Sequence, residues 1–361
     1  MTDLRDLTNL RETLSTILNN KAQDRDVAGV AVVLSPGMKP EAVWHPGSNA
    51  AEPAFLAYSI TKTFTAVLLL LLQEEGLLNL EDPLVRWFPT IDRADYISLR
   101  QLLNHTAGIP DYGGLRDYHE AVRATPSIPW SFEQFAAMTF DRGLSFAPGS
   151  GWAYSNPGYL LLKQIAEAVT GISYRDLIHD RIIRPLGLRR TFVPESIEDL
   201  ASLMLARSRF LATDGTPRDV RHFYHPGWVS HGVIASTPSE IALFLSSLFG
   251  DRLLPRPSLD EMMELVPVPI PEGDRSDTEP LRWVKPSYGL GLMADPASAW
   301  GTILGHNGGG PGYSASVFYA PDLGGITVCA MSAVEEGLQA EEIVFAVLDW
   351  IASPSAHSST R

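Results

Sequence analysis

The chain contains one cysteine, Cys329, which excludes an intrachain disulfide. That cysteine lies in the apolar, strand-like run Ile326-Thr327-Val328-Cys329-Ala330-Met331, where a small buried residue is expected rather than a reactive thiol. Lysine is also scarce, with five (Lys21, Lys39, Lys62, Lys163, Lys285) against 23 arginines, so a lysine motif arises less easily by chance. Long apolar runs are missing. The longest, Ala66 to Leu72, is too short to span a bilayer. The N-terminus lacks the character of a signal peptide: Leu4, Leu7, Leu10, Leu14, Ile17 and Leu18 recur at helical spacing among charged residues, as in an amphipathic surface helix. A cytoplasmic location is therefore expected. Positive charge is in deficit, with a formal net charge of −14, and an acidic surface repels phosphate backbones and anionic lipid. Nucleic acid and membrane are accordingly not expected as partners. No Gly-x-Ser-x-Gly stretch is present, which removes a nucleophile elbow of the α/β-hydrolase kind.

What is present is ordinary globular composition, 45% hydrophobic and 19% charged over 361 residues, enough for one large core or two unequal ones. Strand signals come first, at Val27 to Leu34 and Ala42 to His45, joined by a Ser35-Pro36-Gly37 turn. A helix is expected from about Ser59 to Gly76. Residues 77–231 read as helices and long loops; the clearest helix is Tyr159 to Val169, with Gly171 as its C-terminal cap. Thr237-Pro238-Ser239-Glu240 reads as a capping box opening a helix to Phe249. Strands return at Tyr288 to Met293, Thr302 to His306, Ser314 to Tyr319 and Gly325 to Ser332, followed by a helix from about Leu338 to Ile351. The polar tail 353–361 is expected to be disordered.

Strands at both chain ends around a helical middle predict an α/β fold of the α+β type: one antiparallel sheet flanked by N- and C-terminal helices, with an inserted, mainly helical domain. The expected division is a discontinuous sheet domain (1–76 and 232–361) and a helical insertion (77–231).

Three stretches carry chemistry. In Ser59-Ile60-Thr61-Lys62 the three-residue spacing puts Lys62 on the helix face of Ser59, within reach of its hydroxyl. Ser59 at the helix start feels the positive end of the dipole. A serine hydroxyl needs such a neighbouring base to act as a nucleophile. With 30 serines and five lysines, chance gives about 0.4 such matches, so the motif alone is only suggestive. Lys62 opens an apolar helix, however, and burial there favours a paired lysine. In Tyr154-Ser155-Asn156, a loop tyrosine stands at a helix entrance. Beside an ammonium group its hydroxyl loses a proton more easily, so a phenolate acting as general base to Ser59 is expected; a helix cap with a packed tyrosine would look the same. The third stretch is His306-Asn307-Gly308, ahead of Gly309-Gly310-Pro311-Gly312. Two other His-x-Gly triplets, at His45 and His225, carry a central proline that cannot join a ladder, whereas His306 ends one strand signal and leads into another. Glycines there allow substrate close to backbone N–H groups that can bind an oxyanion.

In this order and at these separations, the three motifs resemble the serine β-lactamase/DD-peptidase superfamily, whose pattern is Ser-x-x-Lys, Tyr-x-Asn or Ser-x-Asn, then Lys-Thr-Gly or His-x-Gly. The nearest likeness is to its tyrosine-containing branch: class C β-lactamases, DD-carboxypeptidases, D-aminopeptidases and β-lactamase-like esterases. Leu102 to Ile109, Phe146 to Asn156 and Gly305 to Tyr313 resemble loops of that branch, and the likeness runs from about Val27 to Ile351. It implies that Ser59 is acylated, that Lys62 and Tyr154 share the proton transfers, and that Asn156 holds a substrate amide or ester group. It further implies an oxyanion hole made by the backbone N–H groups of Ser59 and Gly309. His306-Asn307 stands where class C enzymes have Lys-Thr, so the carboxylate anchor of a lactam is absent. That departure leans towards esterase and peptidase members.

The expectation is a cofactor-free serine hydrolase of small esters or amides, with His306, Asn307, Gly308 and Trp228 also near substrate. The alternatives are a D-amino-acid peptidase or DD-carboxypeptidase, a weak β-lactamase, an acyltransferase, or a non-catalytic binding protein, which should have lost Ser59, Lys62 or Tyr154. His222, His225 and His231 lack accompanying carboxylate or cysteine ligands, so no metal is expected; they are expected to line the cleft or cap turns. His105 reads as a hydrogen-bonded structural histidine.

Overall fold

Strands from both ends of the chain do join one sheet. The computed structural model describes residues 9–21, 28–45, 51–270, 283–335 and 339–353. Its main sheet is antiparallel throughout and has eight strands among the described residues, in the order Glu41–His45, Ala28–Val33, Ile326–Ser332, Tyr313–Ala320, Gly301–Gly310, Met293–Ser298, Ser287–Tyr288, Val266–Pro267. Residues 51–265 add only short two-stranded pairings, Phe55–Leu56 with Ala235–Ser236 and Arg207–Ser208 with Arg218–Asp219.

Period-two alternation explains how the central strands bury both faces. Val30, Val32, Phe318 and Val328 face a core shared with Leu10, Leu14 and Leu18 of helix Leu10–Lys21 and with Ile343, Val344 and Phe345 of helix Gln339–Ala352. Ala31, Val33, Val317, Cys329 and Met331 point the other way, into a larger core with Phe244 and Leu245 of helix Pro238–Phe249. Cys329 is fully buried, as its apolar strand requires.

Helix Thr61–Glu74 runs through the larger core. Its residues from Thr61 to Leu70 are all buried, the pattern of a helix with no solvent face. Helix Asn156–Thr170 packs beside it and ends at Gly171, whose φ of +68° supplies the left-handed cap. Among the described residues, no helix is long and apolar enough to cross a membrane.

Several expectations need correction. The Tyr288 to Met293 segment is not one strand but a tight turn between two, with Gly289 N–H donating to the Leu292 carbonyl at 2.8 Å and Gly291 at φ +66°. Gly291 cannot carry a side chain, because a Cβ there would meet the Lys62 carbonyl oxygen at 2.6 Å. The expected capping box at Thr237 forms only by half. Thr237 Oγ1 accepts from Glu240 N–H at 3.3 Å, but the Glu240 carboxylate turns away to accept from Arg189 N–H at 2.8 Å and the Thr191 hydroxyl at 2.6 Å. The strand expected to end at His306 continues to Gly310. Leu4, Leu7, Val27, Leu338 and the tail beyond 353 lie outside the described residues.

Candidate active site

Ser59 sits in a 3-10 turn, Tyr58–Ile60, that feeds directly into helix Thr61–Glu74. Tyr58 has φ +44°, a conformation that costs a non-glycine residue about 1–2 kcal/mol and is kept only where its surroundings impose it. Here Tyr58 donates to the Pro311 carbonyl at 2.6 Å, Ala57 N–H donates to the Ile234 carbonyl at 2.8 Å, and Thr61 Oγ1 accepts from Ile234 N–H at 2.8 Å. The turn is thus pinned on both sides.

One helical turn on, Lys62 is fully buried. Its Nζ lies 3.3 Å from Ser59 Oγ, 2.7 Å from Asn156 Oδ1 and 2.9 Å from His231 Nε2. Burial pulls its pKa from 10.5 down to about 7, against the opposing pull of the Asp111 charge. His231 is buried too, and desolvation with the Lys62 charge holds it well below the ordinary histidine range, so it is neutral. As an ammonium, Lys62 donates to Ser59 Oγ, Asn156 Oδ1 and His231 Nε2; as the neutral amine it keeps the bonds to Asn156 and His231 and turns its lone pair to the Ser59 hydroxyl.

Tyr154 donates its hydroxyl to Ser59 Oγ at 2.8 Å. Its ring lies 4.7 Å from Lys62 Nζ, measured to the centroid. Burial drives the Tyr154 pKa well above its ordinary value, and the bond to Ser59 offsets only part of this. The phenolate expected from the sequence is therefore not the resting state; the low dielectric that weakens the lysine cation disfavours the tyrosine anion as well.

The loop carrying Tyr154 is held from below. Ser155 caps helix Asn156–Thr170 by accepting from Gly158 N–H at 3.1 Å, while its own N–H donates to His105 Nδ1 at 3.1 Å. His105 is buried, and its ring lies 4.5 Å from that of Tyr154, so it is a hydrogen-bonded support, as expected. Asp111, which sequence reasoning missed, accepts from both the backbone N–H of Asn156 (2.8 Å) and its side-chain Nδ2 (3.0 Å). This fixes the amide with Oδ1 toward Lys62. The available signal was the buried lysine itself, which calls for a nearby counter-charge.

The Gly301–Gly310 strand forms the opposite wall. A Cβ on Gly308 would run into the Ala57 carbonyl oxygen and lie 3.1 Å from Ser59 N, so only glycine lets this strand approach the Ser59 turn so closely. His306 is buried; Nδ1 bonds the Asn307 carbonyl at 2.5 Å and Nε2 meets the Tyr288 hydroxyl at 2.8 Å. Desolvation lowers its pKa to about 3, so the ring is neutral with both nitrogens engaged. Asn307 Nδ2 donates to Glu341 Oε1 at 2.6 Å. Neither side chain offers a charge to substrate. Trp228, expected near substrate, is fully buried, with its indole N–H on the Pro126 carbonyl at 3.0 Å. It nevertheless belongs to the lining of the second cavity at Ser59 described below. His225 caps a turn by accepting from Gly227 N–H, and His222 is exposed beside Asp219.

Two cavities meet at Ser59. The first, about 490 Å³, is lined by Trp152, Tyr154, Trp283, Tyr288, His306 and Glu341, among others. The second, about 610 Å³, lies on the side of Asn156, Tyr112 and Tyr224. Among the described residues, no group of histidine, cysteine, aspartate and glutamate is arranged to hold a metal ion.

A family model described as Beta-lactamase matches residues 14–348. A penicillin-binding protein of Bacillus subtilis (strain 168) is 29% identical over 327 residues, 85% of this chain and 68% of the relative. A teichoic acid D-alanine hydrolase of Staphylococcus aureus is 29% identical over 143 residues, 40% of this chain and 33% of the relative, so this match spans about a third of that protein. Among solved structures, a D-stereospecific amidohydrolase from Streptomyces sp. superposes with a TM-score of 0.78 at 28% identity, covering 93% of this chain and 98% of that one. The D-amino acid amidase of Ochrobactrum anthropi SV3 in complex with D-phenylalanine gives a TM-score of 0.77 at 25% identity, covering 95% and 99%.

Proposed function

The chain belongs to the Beta-lactamase family of serine hydrolases, and from that premise we propose that it hydrolyses small esters or amides through an acyl-enzyme on Ser59, with Lys62 as the base and Tyr154 as the proton donor to the leaving group. The observation that carries this reading is the contact set at Ser59 Oγ: the Tyr154 hydroxyl at 2.8 Å and a buried lysine amine, its pKa near 7, at 3.3 Å.

In the proposed sequence, neutral Lys62 takes the Ser59 proton as Oγ attacks the substrate carbonyl carbon. The tetrahedral oxyanion is met by the backbone N–H groups of Ser59 and Gly309. As the intermediate collapses, the bond to the leaving atom breaks and that atom takes the Tyr154 proton; the Lys62 ammonium then restores the tyrosine. Water enters on the vacated side and repeats the steps in reverse order of roles, releasing the acid and Ser59. Asn156, oriented by Asp111, keeps Lys62 in register through its 2.7 Å bond. Bonded in this way, Asn156 Oδ1 serves the lysine rather than the substrate group first expected of it.

Leaving-group charge separates this reading from a lactamase. Among the described residues, the cavity beside Tyr154 and His306 has no lysine or arginine in its lining, but it does have Glu335 and Glu341. A carboxylate next to the scissile bond finds no cationic partner there, whereas a neutral leaving group loses nothing. A second reading, hydrolysis of D-amino-acid amides, is supported by the likeness to the D-stereospecific amidohydrolase. A panel of p-nitrophenyl esters, D-amino-acid amides, a D-alanyl-D-alanine peptide and a cephalosporin tests both readings by kcat/KM. The neutral ester should exceed the cephalosporin and the peptide; a preference for the cephalosporin would reject the proposal.

A further inference from the structure

We propose that the cavity beyond Asn156 accepts an acyl group ending in a carboxylate, recognised by Arg123 and Arg209. This rests on the hydrolase reading above and specifies its substrate. The direction follows from the proton donor. Tyr154 lines only the first cavity, so a leaving group that takes its proton departs on that side; Asn156 lines only the second, so the acyl group extends there.

The two cavities differ in charge. Among the described residues, the leaving-group side carries carboxylates and no cation, while the acyl side carries Arg123 and Arg209. In this acidic chain many arginines are already paired, as Arg86, Arg100, Arg175, Arg181 and Arg221 are with neighbouring carboxylates. Among the described residues, neither Arg123 nor Arg209 has such a partner. Arg123, near the end of helix Arg116–Ala124, lies over the Phe210 ring with Cζ 4.9 Å from the centroid, and His119 meets the same ring edge-on at 5.2 Å. Stacking holds the guanidinium fork while leaving its donors open, the state suited to bidentate binding of a carboxylate.

The one carboxylate in this cavity's described lining is Glu335, and both its oxygens are engaged, by Arg209 N–H at 2.8 Å and Gly312 N–H at 3.0 Å. Its charge serves to tie the 209 loop to the 312 turn. The remaining wall is aromatic, from Tyr112, Tyr118, Phe210 and Tyr224, which suits a short methylene spacer between the reacting carbonyl and the terminal carboxylate. The class indicated is therefore an ester or amide of a dicarboxylic acid, attacked at one end and anchored at the other.

The test compares mono-p-nitrophenyl adipate with p-nitrophenyl hexanoate, acyl chains of equal length ending in a carboxylate or a methyl group. Wild type should favour the adipate by about tenfold or more in kcat/KM. Arg123→Ala and Arg209→Ala should each lower the adipate value by about tenfold and leave the hexanoate value within about threefold, and Arg123→Lys should recover part of the loss. Equal use of both esters by wild type, or equal losses on both in the arginine variants, overturns the proposal. Hexanoate turnover and fluorophosphonate labelling of Ser59 are measured on the same preparations. Their absence in wild type would reject the hydrolase reading and this proposal with it; hexanoate turnover without adipate preference rejects only the arginine assignment.

Discussion

Lys62 sets the acid limb of the pH profile. Its folded pKa of about 7, lowered from 10.5 by burial, means that the neutral amine is present in half the molecules near pH 7. At pH 5 it is present in roughly one molecule in a hundred, so kcat/KM for a neutral ester should fall about tenfold per unit below pH 6. The buried histidines do not titrate near neutrality: His105 and His231 are held well below the ordinary range by burial and by the Lys62 charge, and His306 lies near 3. The perturbation that isolates Lys62 is Asp111→Asn. The Asp111 charge favours the ammonium form, so removing it should move the midpoint to lower pH, and the amide oxygen of the new side chain can still accept from Asn156 N–H. Stopped-flow or initial-rate measurements on p-nitrophenyl hexanoate, from pH 5 to 10, give both midpoints. An unchanged or raised midpoint in Asp111→Asn would refute the assignment. A wild-type limb above pH 9 would instead make the Tyr154 phenolate the base.

Two further outcomes follow from the same geometry. The lowered Lys62 pKa means that between about pH 7 and 10.5 the unfolded chain binds a proton that the folded chain does not; wild-type stability should therefore rise with pH through that window and be penalised in full below it. Lys62→Met, inactive, should thus gain about 3 kcal/mol relative to wild type on going from pH 9 to pH 6, read by urea denaturation; a pH-independent difference would contradict the burial argument. Gly308→Ala should cost at least about 100-fold in kcat, because the new Cβ meets the Ala57 carbonyl and pushes the strand off Ser59; near-normal turnover would show that this close approach is not needed.

Local spacing made part of this site readable. Ser59 and Lys62 are one helical turn apart, and Tyr154 stands just ahead of a helix cap, so their proximity to one another required only the motif order and the resemblance it carried. Asp111 and His231 were not readable as partners of Lys62, because they reach it only through tertiary packing, 49 and 169 positions away in the chain. Burial was the other hidden variable. It reversed the expected charge state of Tyr154 and left His306 neutral between Tyr288 and Asn307. In the fold, alternation located Ala28–Val33, Tyr313–Ala320 and Ile326–Ser332 to within a residue, whereas Gly301–Gly310 was ended four residues early at its glycine run and the Gly289–Leu292 turn was lost inside an apolar run whose glycines were its only mark.

The central claim is that Ser59 becomes acylated. Intact-protein and peptide mass spectrometry after treatment with a fluorophosphonate probe tests it directly. The account predicts one adduct per chain, on the peptide carrying Ser59, with neither adduct nor ester turnover in Ser59→Ala. An adduct or undiminished turnover that persists in Ser59→Ala would contradict it.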